Sequence, residues 1–479
     1  MLLKTKWIST YLINFDELNI RFMKLLAALL LVFFGCKTKS YSQKNDSLII
    51  HQFFQTALSN GKAYEDLRYL CKTIGPRLSG SAQAEMAVKW GETLLKTYGF
   101  DHVNLQAIKV PHWERGTKEV AWMKNSSGAL TPLEIVALGG SISTNGLLSA
   151  EVIEFETVND LKKATEKAVK GKIVFLNQPM NPNEIVTFKA YGGCYSLRNE
   201  GAVEASKLGA VGVIIRSLAL PNDHFPHTGS MHYDENVAKI PAGALSTNAA
   251  NLLSASLKKE KVTFLFEMNC NDYPDADSYN VMGELIGSEF PNQIITIGGH
   301  LDSWDTGEGA HDDGAGIVHC IEALRILKEN NIQPKHTIRV VLFMNEENGN
   351  RGGLAYAAWS KSNNETQIAA VESDRGGFSP RGFECDGSPA YLTLIQSFKS
   401  LLLPYGLYHF EKGYGGVDIG PLKTHFNQIP LFGFVPDSQR YFDFHHAASD
   451  VFENVNKREL ELGCASMAAF VYLLDKGLN

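Results

Sequence analysis

Four apolar runs mark the second half of the chain. They read IITIGG, TIRVVLFM, IAAVES and IPLFGFV, and they begin at residues 294, 337, 368 and 429. Continuous apolar runs without alternation are typical of strands buried on both faces of a mostly parallel sheet. Segments with apolar residues three and four apart, such as GIVHCIEALRILKEN, lie between them and predict helices. The pattern therefore predicts an α/β fold, with a mostly parallel sheet sandwiched by helices.

The first half of the chain has a different pattern. The segment from Ser47 to about Phe100 predicts helices, and Ser81 is placed to cap the helix AQAEMAVKWGETLLKTYGF. Between about residues 125 and 270, short strands surround one predicted helix, AVEASKLG, and Gly- and Pro-rich loops separate them. We interpret this segment as a β-rich module inserted into the larger domain. The predicted parts are a leader (1–43), the first part of the main domain (47–124), the insert (125–270) and the last part of the main domain (271–479).

The N-terminus predicts export. The stretch MKLLAALLLVFFGC, from Met23, has one lysine before an apolar run, Leu25 to Phe34, that is too short to span a bilayer comfortably. The residues around Cys36 resemble a degenerate bacterial lipobox, which predicts a lipid anchor there; cleavage near SYSQ is the alternative. An uncleaved membrane-anchoring helix is a second alternative, and Met23 competes with Met1 as the translation start. We expect a periplasmic protein, an outer-membrane lipoprotein or a secreted protein.

The composition excludes several classes of protein. The 479 residues are 44% hydrophobic and 20% charged, which is ordinary for a folded protein. The net charge of −7 provides no basic face, so we exclude nucleic-acid binding. The seven cysteines form no C-x-x-C pair, so a zinc ribbon or a dithiol redox site is unsupported. A disulfide is compatible with export, but the sequence does not assign one.

Ionisable residues collect where the four apolar runs end. The stretch GGHLDSWDTGEGAHDDGAG, residues 298–316, holds seven of them and no Lys or Arg. The candidate ligands that follow the runs are His300 and Asp302, Glu346 and Glu347, Asp374, and His445, His446 and Asp450. Side chains at the carboxyl ends of parallel strands gather at one edge, and so many like charges repel unless a cation joins them. Imidazole and carboxylate ligands without thiolates suit Zn²⁺.

The spacing of these residues predicts their roles. His300 and Asp302 are two apart at a strand end, so the Asp302 carboxylate is placed to accept the second ring N–H of a metal-binding His300. Asp312 lies just before a helix, and its two oxygens could bridge two ions. Adjacent Glu346 and Glu347 cannot both face one metal from an extended chain. One of the two is therefore predicted to bind metal, and the other to stay free as a general base.

Several blocks of the sequence, in the same order, resemble a known family. They are PHWERG, GAVEASKLGAVGVIIRS, PHTG, GHLDSWDTGEGAHDDGAG, NEENG, VESD and HHAASD. The chain is similar to the M28 family of metallopeptidases, and most similar to its carboxypeptidase Q branch, from IGPRLSGS to the C-terminus. In that family a protease-associated domain is inserted into the peptidase domain, which agrees with the predicted insert at 125–270.

The resemblance implies two zinc ions per chain. One zinc would be held by His300 and Asp374 and the other by Glu347 and His446, with Asp312 as a bridge between the two. His446 matches the family ligand better than His445, because that ligand stands four residues before an aspartate, here Asp450. Glu346 matches the family's general base, which takes a proton from a metal-activated water and passes it to the departing amine.

Other residues have competing interpretations. We expect His311 and His445 to pack beside the ligands, and His319 to be a core histidine. His224, His227 and His232 could form a separate metal site, but loop histidines are more often surface residues. Arg375 could anchor a substrate carboxylate or pair with the acidic residues around it. The glycines of GYGGVDIG, residues 413–420, could let the backbone approach substrate or form a flexible loop.

The predicted function is an exported exopeptidase with two catalytic zinc ions that acts on short peptides. The resemblance implies dipeptides with both ends free as substrates, and a homodimer. An M28 aminopeptidase with the same metal core is the main alternative, because the core does not determine which end of a peptide is recognised. A glutaminyl cyclase of the same fold and a non-catalytic, receptor-like protein are less favoured. The inserted module argues against the cyclase, and the complete ligand set argues against the receptor.

Overall fold

Two β-sheets form the frame of the structure. The computed structural model describes residues 45–478. The predicted leader (1–43), with the alternative start Met23 and the lipid-anchor residue Cys36, lies outside the described residues. The elements from residue 53 onward belong to one compact unit. None of the described helices is long and apolar enough to cross a membrane. The six cysteines between Cys71 and Cys464 are buried and free.

The first sheet is built around the four predicted apolar runs. Its strand order is Asp101–Glu114, Asn271–Leu285, His336–Phe343, Phe290–His300, Thr366–Glu372, Leu431–Pro436, Pro380–Asp386 and His409–Lys412. The four central strands, which carry the apolar runs, pair in parallel, and nearly all of their residues are buried. The strand prediction is therefore confirmed, and the carboxyl ends of these strands lie at one edge of the sheet.

Helices cover both faces of this sheet, as predicted. Adjacent residues of a strand point to opposite faces. Phe343 packs against Tyr356 with ring centroids 5.6 Å apart, whereas Leu342 contacts Gly91 on the other face. The Ser81 side chain accepts from the Ala84 N–H at 3.1 Å and caps its helix, as predicted. The helices of this part are Ala63–Tyr69, Ala82–Thr97, Ala315–Glu329, Arg351–Ser362, Pro389–Ser397, Lys399–Leu402, Leu422–His425 and Lys457–Gly477, and residues 45–60 are also helical.

The second sheet uses residues 120–267. Its strand order is Leu130–Leu133, Val120–Lys124, Thr263–Glu267, Leu148–Phe155, Ile173–Leu176, Gly212–Arg216, Ala242–Leu245 and Ile135–Ala137. The prediction of a single helix here was wrong. The structure has helices at Val158–Lys162, Glu166–Val169, Thr187–Cys194, Ser196–Lys207 and Thr247–Leu257. Two of them have only four or five residues, and another, TFKAYGGC, contains two glycines, so their apolar period is hard to recognise in the sequence.

The second sheet packs against loops that follow strands of the first. One buried cluster joins residues of the second sheet, such as Val213 and Ala244, with Phe378, Tyr441 and Phe444. Another cluster contains Trp113 and Trp304, whose ring centroids are 6.4 Å apart, together with strand residues of the insert. These contacts place the insert beside the edge where the parallel strands end.

Candidate metal centre

The residues that follow the parallel strands meet in two adjacent groups. His300 is the last residue of its strand, and its Nε2 lies 3.3 Å from Asp312 Oδ1 and 3.5 Å from Asp374 Oδ1. His446 Nε2 lies 3.3 Å from Asp312 Oδ2 and 3.1 Å from Glu347 Oε2. Asp312 thus presents one carboxylate oxygen to each histidine. The structure brings together the five residues that the sequence analysis named as candidate ligands, which are His300, Asp312, Glu347, Asp374 and His446.

The arrangement fits cations. His300, Asp312 and Asp374 offer ligand atoms within 4.8 Å of one another, and so do Asp312, His445 and His446. Three of these atoms are buried and have no hydrogen-bond partner in the described structure: His300 Nε2, Asp312 Oδ2 and Asp374 Oδ1. Buried polar atoms are nearly always paired, so unpaired imidazole and carboxylate atoms that face one another suit divalent cations. His445 Nε2 is 3.8 Å from Asp312 Oδ2, farther than His446 Nε2.

Asp302 is close to His300, but its carboxylate has a different role from the one predicted. The Asp302 carboxylate accepts backbone N–H groups of Asn345 at 2.7 Å, Glu346 at 3.1 Å and Glu347 at 3.3 Å. The ring N–H of His300 at Nδ1 faces the Asp302 backbone carbonyl at 3.0 Å, whereas the carboxylate Oδ1 is 3.8 Å away. The predicted carboxylate–imidazole hydrogen bond was therefore wrong. The turn at residues 345–347 supplies three donors, and the carboxylate points to them.

The two adjacent glutamates have different surroundings. Glu347 is buried; its Oε1 accepts from the Trp304 N–H at 3.2 Å, and its Oε2 faces His446. Glu346 is half-buried and belongs to neither ligand group. Burial raises the pKa of Glu346 to about 8; His300 opposes this shift, and the nearby acids, Asp374 first, add to it. Glu346 is therefore a carboxyl group with a high proton affinity that lies beside the candidate ligands.

Two buried residues shape the loop before Asp312, and the sequence analysis missed the first of them, Arg77. Arg77 is fully buried and donates to the carbonyls of Leu301, Glu308 and Gly309 at 2.6, 2.6 and 2.9 Å. Asp450, one of the candidate ligands in the sequence analysis, instead accepts the backbone N–H groups of His311 at 2.8 Å and Asp312 at 3.1 Å. The Arg77 guanidinium thus holds this loop through hydrogen bonds to three carbonyls. The Asp450 carboxylate holds the end of the loop through two backbone N–H groups.

Comparison with known proteins identifies the family. The signature of peptidase family M28 matches residues 280–471. Carboxypeptidase Q from Bos taurus is 34% identical over 419 residues, which is 87% of this chain and 86% of the bovine protein. Carboxypeptidase Q from Homo sapiens is 33% identical with the same coverage of both chains. The chain belongs to peptidase family M28. It is therefore a metallopeptidase, and the recognition made from the sequence is confirmed.

Solved structures agree with this M28 assignment. A peptidase M28 precursor from Shewanella amazonensis SB2B superimposes with a TM-score of 0.85 at 34% identity, covering 90% of this chain and 97% of that one. A zinc aminopeptidase from Bacillus subtilis superimposes with a TM-score of 0.61 at 19% identity, covering 86% and 94% of the two chains. The second structure shows that the fold is shared.

A cleft of about 470 Å³ opens beside the metal centre of this M28 peptidase. Its walls include Glu346, Asp374 and His446, and, from the insert, Tyr191 and Arg198. Arg198 is 5% exposed, and its Nε has no hydrogen-bond partner in the described structure. The sequence analysis missed Arg198. It lies in the helix Ser196–Lys207 of the insert, far along the chain from the ligands, so no local spacing pointed to it.

Two of the histidines next to the candidate ligands, His311 and His319, are packing residues, whereas His445 belongs to one of the candidate ligand groups. His311 is stacked on Phe378 with ring centroids 4.2 Å apart. His319 is fully buried, and its Nδ1 lies 3.0 Å from Ser373 Oγ. His445 is stacked on His446 with centroids 3.6 Å apart. The candidate ligand groups among the described residues do not include the remaining histidines singled out from the sequence, which are His224, His227 and His232.

Contacts in the structure bear on two further alternatives of the sequence analysis. Arg375 pairs with Glu384 at 2.8 Å and lies over the Phe188 ring. In the GYGGVDIG segment, Val417 and Ile419 donate their N–H groups to the Glu372 carboxylate at 2.8 and 2.9 Å. Val417 also lines the cleft. The segment therefore forms part of the cleft wall, and its hydrogen bonds to Glu372 hold it in place.

Proposed function

We propose that this chain is an exported exopeptidase with two catalytic zinc ions that hydrolyses short peptides, dipeptides above all. The observation that carries the proposal is the pair of ligand groups that share Asp312, with Glu346 uncommitted beside them. One zinc would be held by His300 and Asp374, the other by Glu347 and His446, and Asp312 would contribute one oxygen to each.

The chain's own groups supply the remaining chemistry. When bound, the two ions would lower the pKa of a water between them and polarise the peptide carbonyl. Glu346 lines the cleft and is half-buried. This position beside the candidate ligands suits a carboxylate that takes a proton from the attacking water and returns it to the departing amine. Asp302 holds the backbone on which Glu346 and Glu347 stand.

The cleft favours a substrate with a free carboxylate. Arg198 forms no ion pair with a carboxylate among residues 45–478. Its guanidinium lies near the rings of Tyr191 and Tyr195, at 5.5 and 5.2 Å from their centroids. A buried guanidinium without an anionic partner is stabilised by a bound carboxylate, so Arg198 would receive the C-terminus of a short peptide. This supports carboxypeptidase or dipeptidase activity over the aminopeptidase alternative.

Four further features of the protein are proposed from the sequence pattern and the resemblance. They are export through the leader 1–43, a lipid anchor at Cys36, a homodimer, and the identity of the insert as a protease-associated domain with the bounds given above. The complete set of five candidate ligands argues against a non-catalytic, receptor-like protein.

The Glu346→Gln variant tests the mechanism. We expect turnover to fall by about 10²–10⁴-fold, since a general base contributes in that range, while zinc stays near two ions per chain. Turnover of a chromogenic peptide and metal analysis of the same preparation are the measurements. If zinc is lost together with activity, Glu346 is a ligand and the assignment of the two glutamates is reversed.

The same assay on modified dipeptides tests the end that is recognised. We expect amidation of the C-terminus to lower kcat/KM by at least about tenfold, because the amide removes the charge that Arg198 would bind. Acetylation of the N-terminus is expected to cost less. The opposite order of the two effects would establish the aminopeptidase alternative.

A further inference from the structure

A turn of the insert lies directly against the candidate ligand His446. The Thr228 N–H donates to the His446 carbonyl at 2.9 Å, and the Thr228 carbonyl lies 3.3 Å from His446 Nδ1. The two chain segments continue side by side, since His227 and Ala447 form an antiparallel bridge and His227 Nδ1 lies 2.6 Å from the His445 carbonyl. The segment that carries His446 is thus paired with the insert, more than two hundred positions away in the sequence.

His446 depends on this pairing for its orientation. Its backbone φ is +62°, a left-handed conformation that is unfavourable for a residue with a side chain. If Nε2 is to bind a metal, Nδ1 carries the proton and needs an acceptor. Arg198 Nη1 is also near, at 3.3 Å, but a guanidinium has no acceptor atom. The Thr228 carbonyl is therefore the group that can accept a hydrogen bond from the Nδ1–H.

We propose that Thr228 is a positioning residue for the second zinc, and that Gly229 leaves the space this requires. The inference rests on the proposed function, because it assumes that His446 binds metal. Gly229 has φ +136°, and a Cβ built on it would lie 2.2 Å from Arg198 Nη1 and 2.7 Å from His446 Nδ1. A side chain at residue 229 would push the imidazole and the guanidinium away from the Thr228 carbonyl.

Thr228 is itself held in place. Its Oγ1 donates to the Ala137 carbonyl at 2.8 Å and accepts from Arg115 at 3.3 Å. Arg115 forms two hydrogen bonds with the Asp305 carboxylate, at 2.9 and 2.7 Å, and is nearly buried. Asp305 belongs to the acidic stretch that follows His300, so the chain of contacts runs from the loop at the first ligand, through the insert, to the last ligand. The insert is therefore part of the metal centre.

The Gly229→Ala variant tests this inference, with Gly146→Ala as its control. Gly146 also has a positive φ, +101°, but nothing lies within 4 Å of a Cβ built there. The Gly146→Ala variant therefore measures only the cost of placing a side chain on a residue with positive φ. We expect Gly229→Ala to weaken one of two zinc ions by about 10–100-fold, the usual effect of losing the partner of a metal-binding histidine. Gly146→Ala should bind both as wild type does. Zinc retained after dialysis against a graded chelator, and the absorption spectrum of the Co²⁺ form, are the readouts.

The outcomes separate the two proposals. If wild type does not bind two zinc ions, the proposed function fails. If wild type binds two and Gly229→Ala binds both with unchanged affinity, or loses both equally, the role of Thr228 is overturned. Should Gly229→Ala not fold, as judged by circular dichroism, Thr228→Val decides. It keeps the shape of the side chain but loses the Oγ1 contacts, and we expect a selective loss of about 3–10-fold for one ion. Unchanged binding of both ions in that variant overturns the inference.

Discussion

Replacement of Asp302 by alanine tests how the catalytic turn is held. The turn at Asn345–Glu347 carries both the proposed general base and a proposed ligand, and its N–H groups point at one fully buried carboxylate. Asp302→Ala leaves these N–H groups without their acceptor inside the protein. The His300 ring is held by the backbone carbonyl of residue 302, which the substitution keeps.

The size of the effect follows from the hydrogen bonds. A hydrogen bond to a charged group stabilises a protein by about 1.5–3 kcal/mol, and a buried donor left unpaired costs a similar amount. Two of the three bonds to Asp302 are short, and the third, at 3.3 Å, is weaker. Burial raises the pKa of Asp302, so part of the gain is spent on desolvating the carboxylate. We therefore expect a loss of about 3–5 kcal/mol in the free energy of unfolding, the range for breaking a buried charge partnership.

The assay is urea unfolding of chelator-treated protein, followed by zinc content and kcat of the metal-loaded form. Asp277→Ala is the matched control, since its side chain is 76% exposed and pairs with an exposed lysine, and we expect a change within about 0.5 kcal/mol. Asp302→Asn keeps one oxygen for the two shorter bonds and should lose about half as much as alanine. A stable Asp302→Ala protein that has lost zinc would refute this account, because the carboxylate would then act on His300, as the spacing predicted.

Two further substitutions test the shared ligand Asp312 and Asp66, a half-buried acid outside the metal centre. Asp312→Ala should empty both metal sites, because Asp312 faces both histidines; zinc analysis checks this, and full metal content contradicts the bridge. Asp66→Asn should gain stability relative to wild type as pH rises. Burial, against a hydrogen bond from Tyr98, raises the pKa of Asp66 from 3.8 to about 6, so the wild-type protein loses stability as pH rises through this interval and the variant does not. Since Asp66 is partly exposed, we expect a relative gain of about 1–2 kcal/mol between pH 4.5 and 7.5 by urea unfolding; a difference that is constant with pH contradicts the assignment.

The elements that local pattern determines were predictable. A run such as TIRVVLFM, apolar at nearly every position, can be buried only as an interior strand, and the structure has the strand His336–Phe343 there. The ligand cluster followed from the same pattern, because parallel strands bring their carboxyl ends to one edge whatever the loops do. Asp374 and Glu347 could thus be placed near His300 without knowledge of a single loop conformation.

What the sequence could not show depends on contacts between distant segments. The donors to Asp302 lie 43 to 45 positions away, in a turn where Asn345 has a φ of +75°. The acceptor beside His446 comes from a residue 218 positions earlier. Spacing along the chain carries no information about such distant pairs. The sequence therefore predicts that the His300 ring N–H donates to the Asp302 carboxylate, the nearest acceptor along the chain. In the structure the ring faces the backbone carbonyl of Asp302 instead.

The same contacts revise the electrostatic argument made from the sequence. From the sequence, all the acidic residues at the carboxyl ends of the strands are expected to need cations nearby. Several of these carboxylates instead accept backbone N–H groups of the segments around the site; they are Asp302, Asp313, Glu372 and Asp450. Hydrogen bonds to backbone donors stabilise a buried carboxylate without a cation. Asp312, Glu347 and Asp374 lack a comparable number of backbone donors, and each faces a histidine. These three carboxylates are therefore the ones that need a metal ion. The number of acids at a sheet edge therefore overstates the number of ligands, and the backbone donors decide which acids remain to bind a cation.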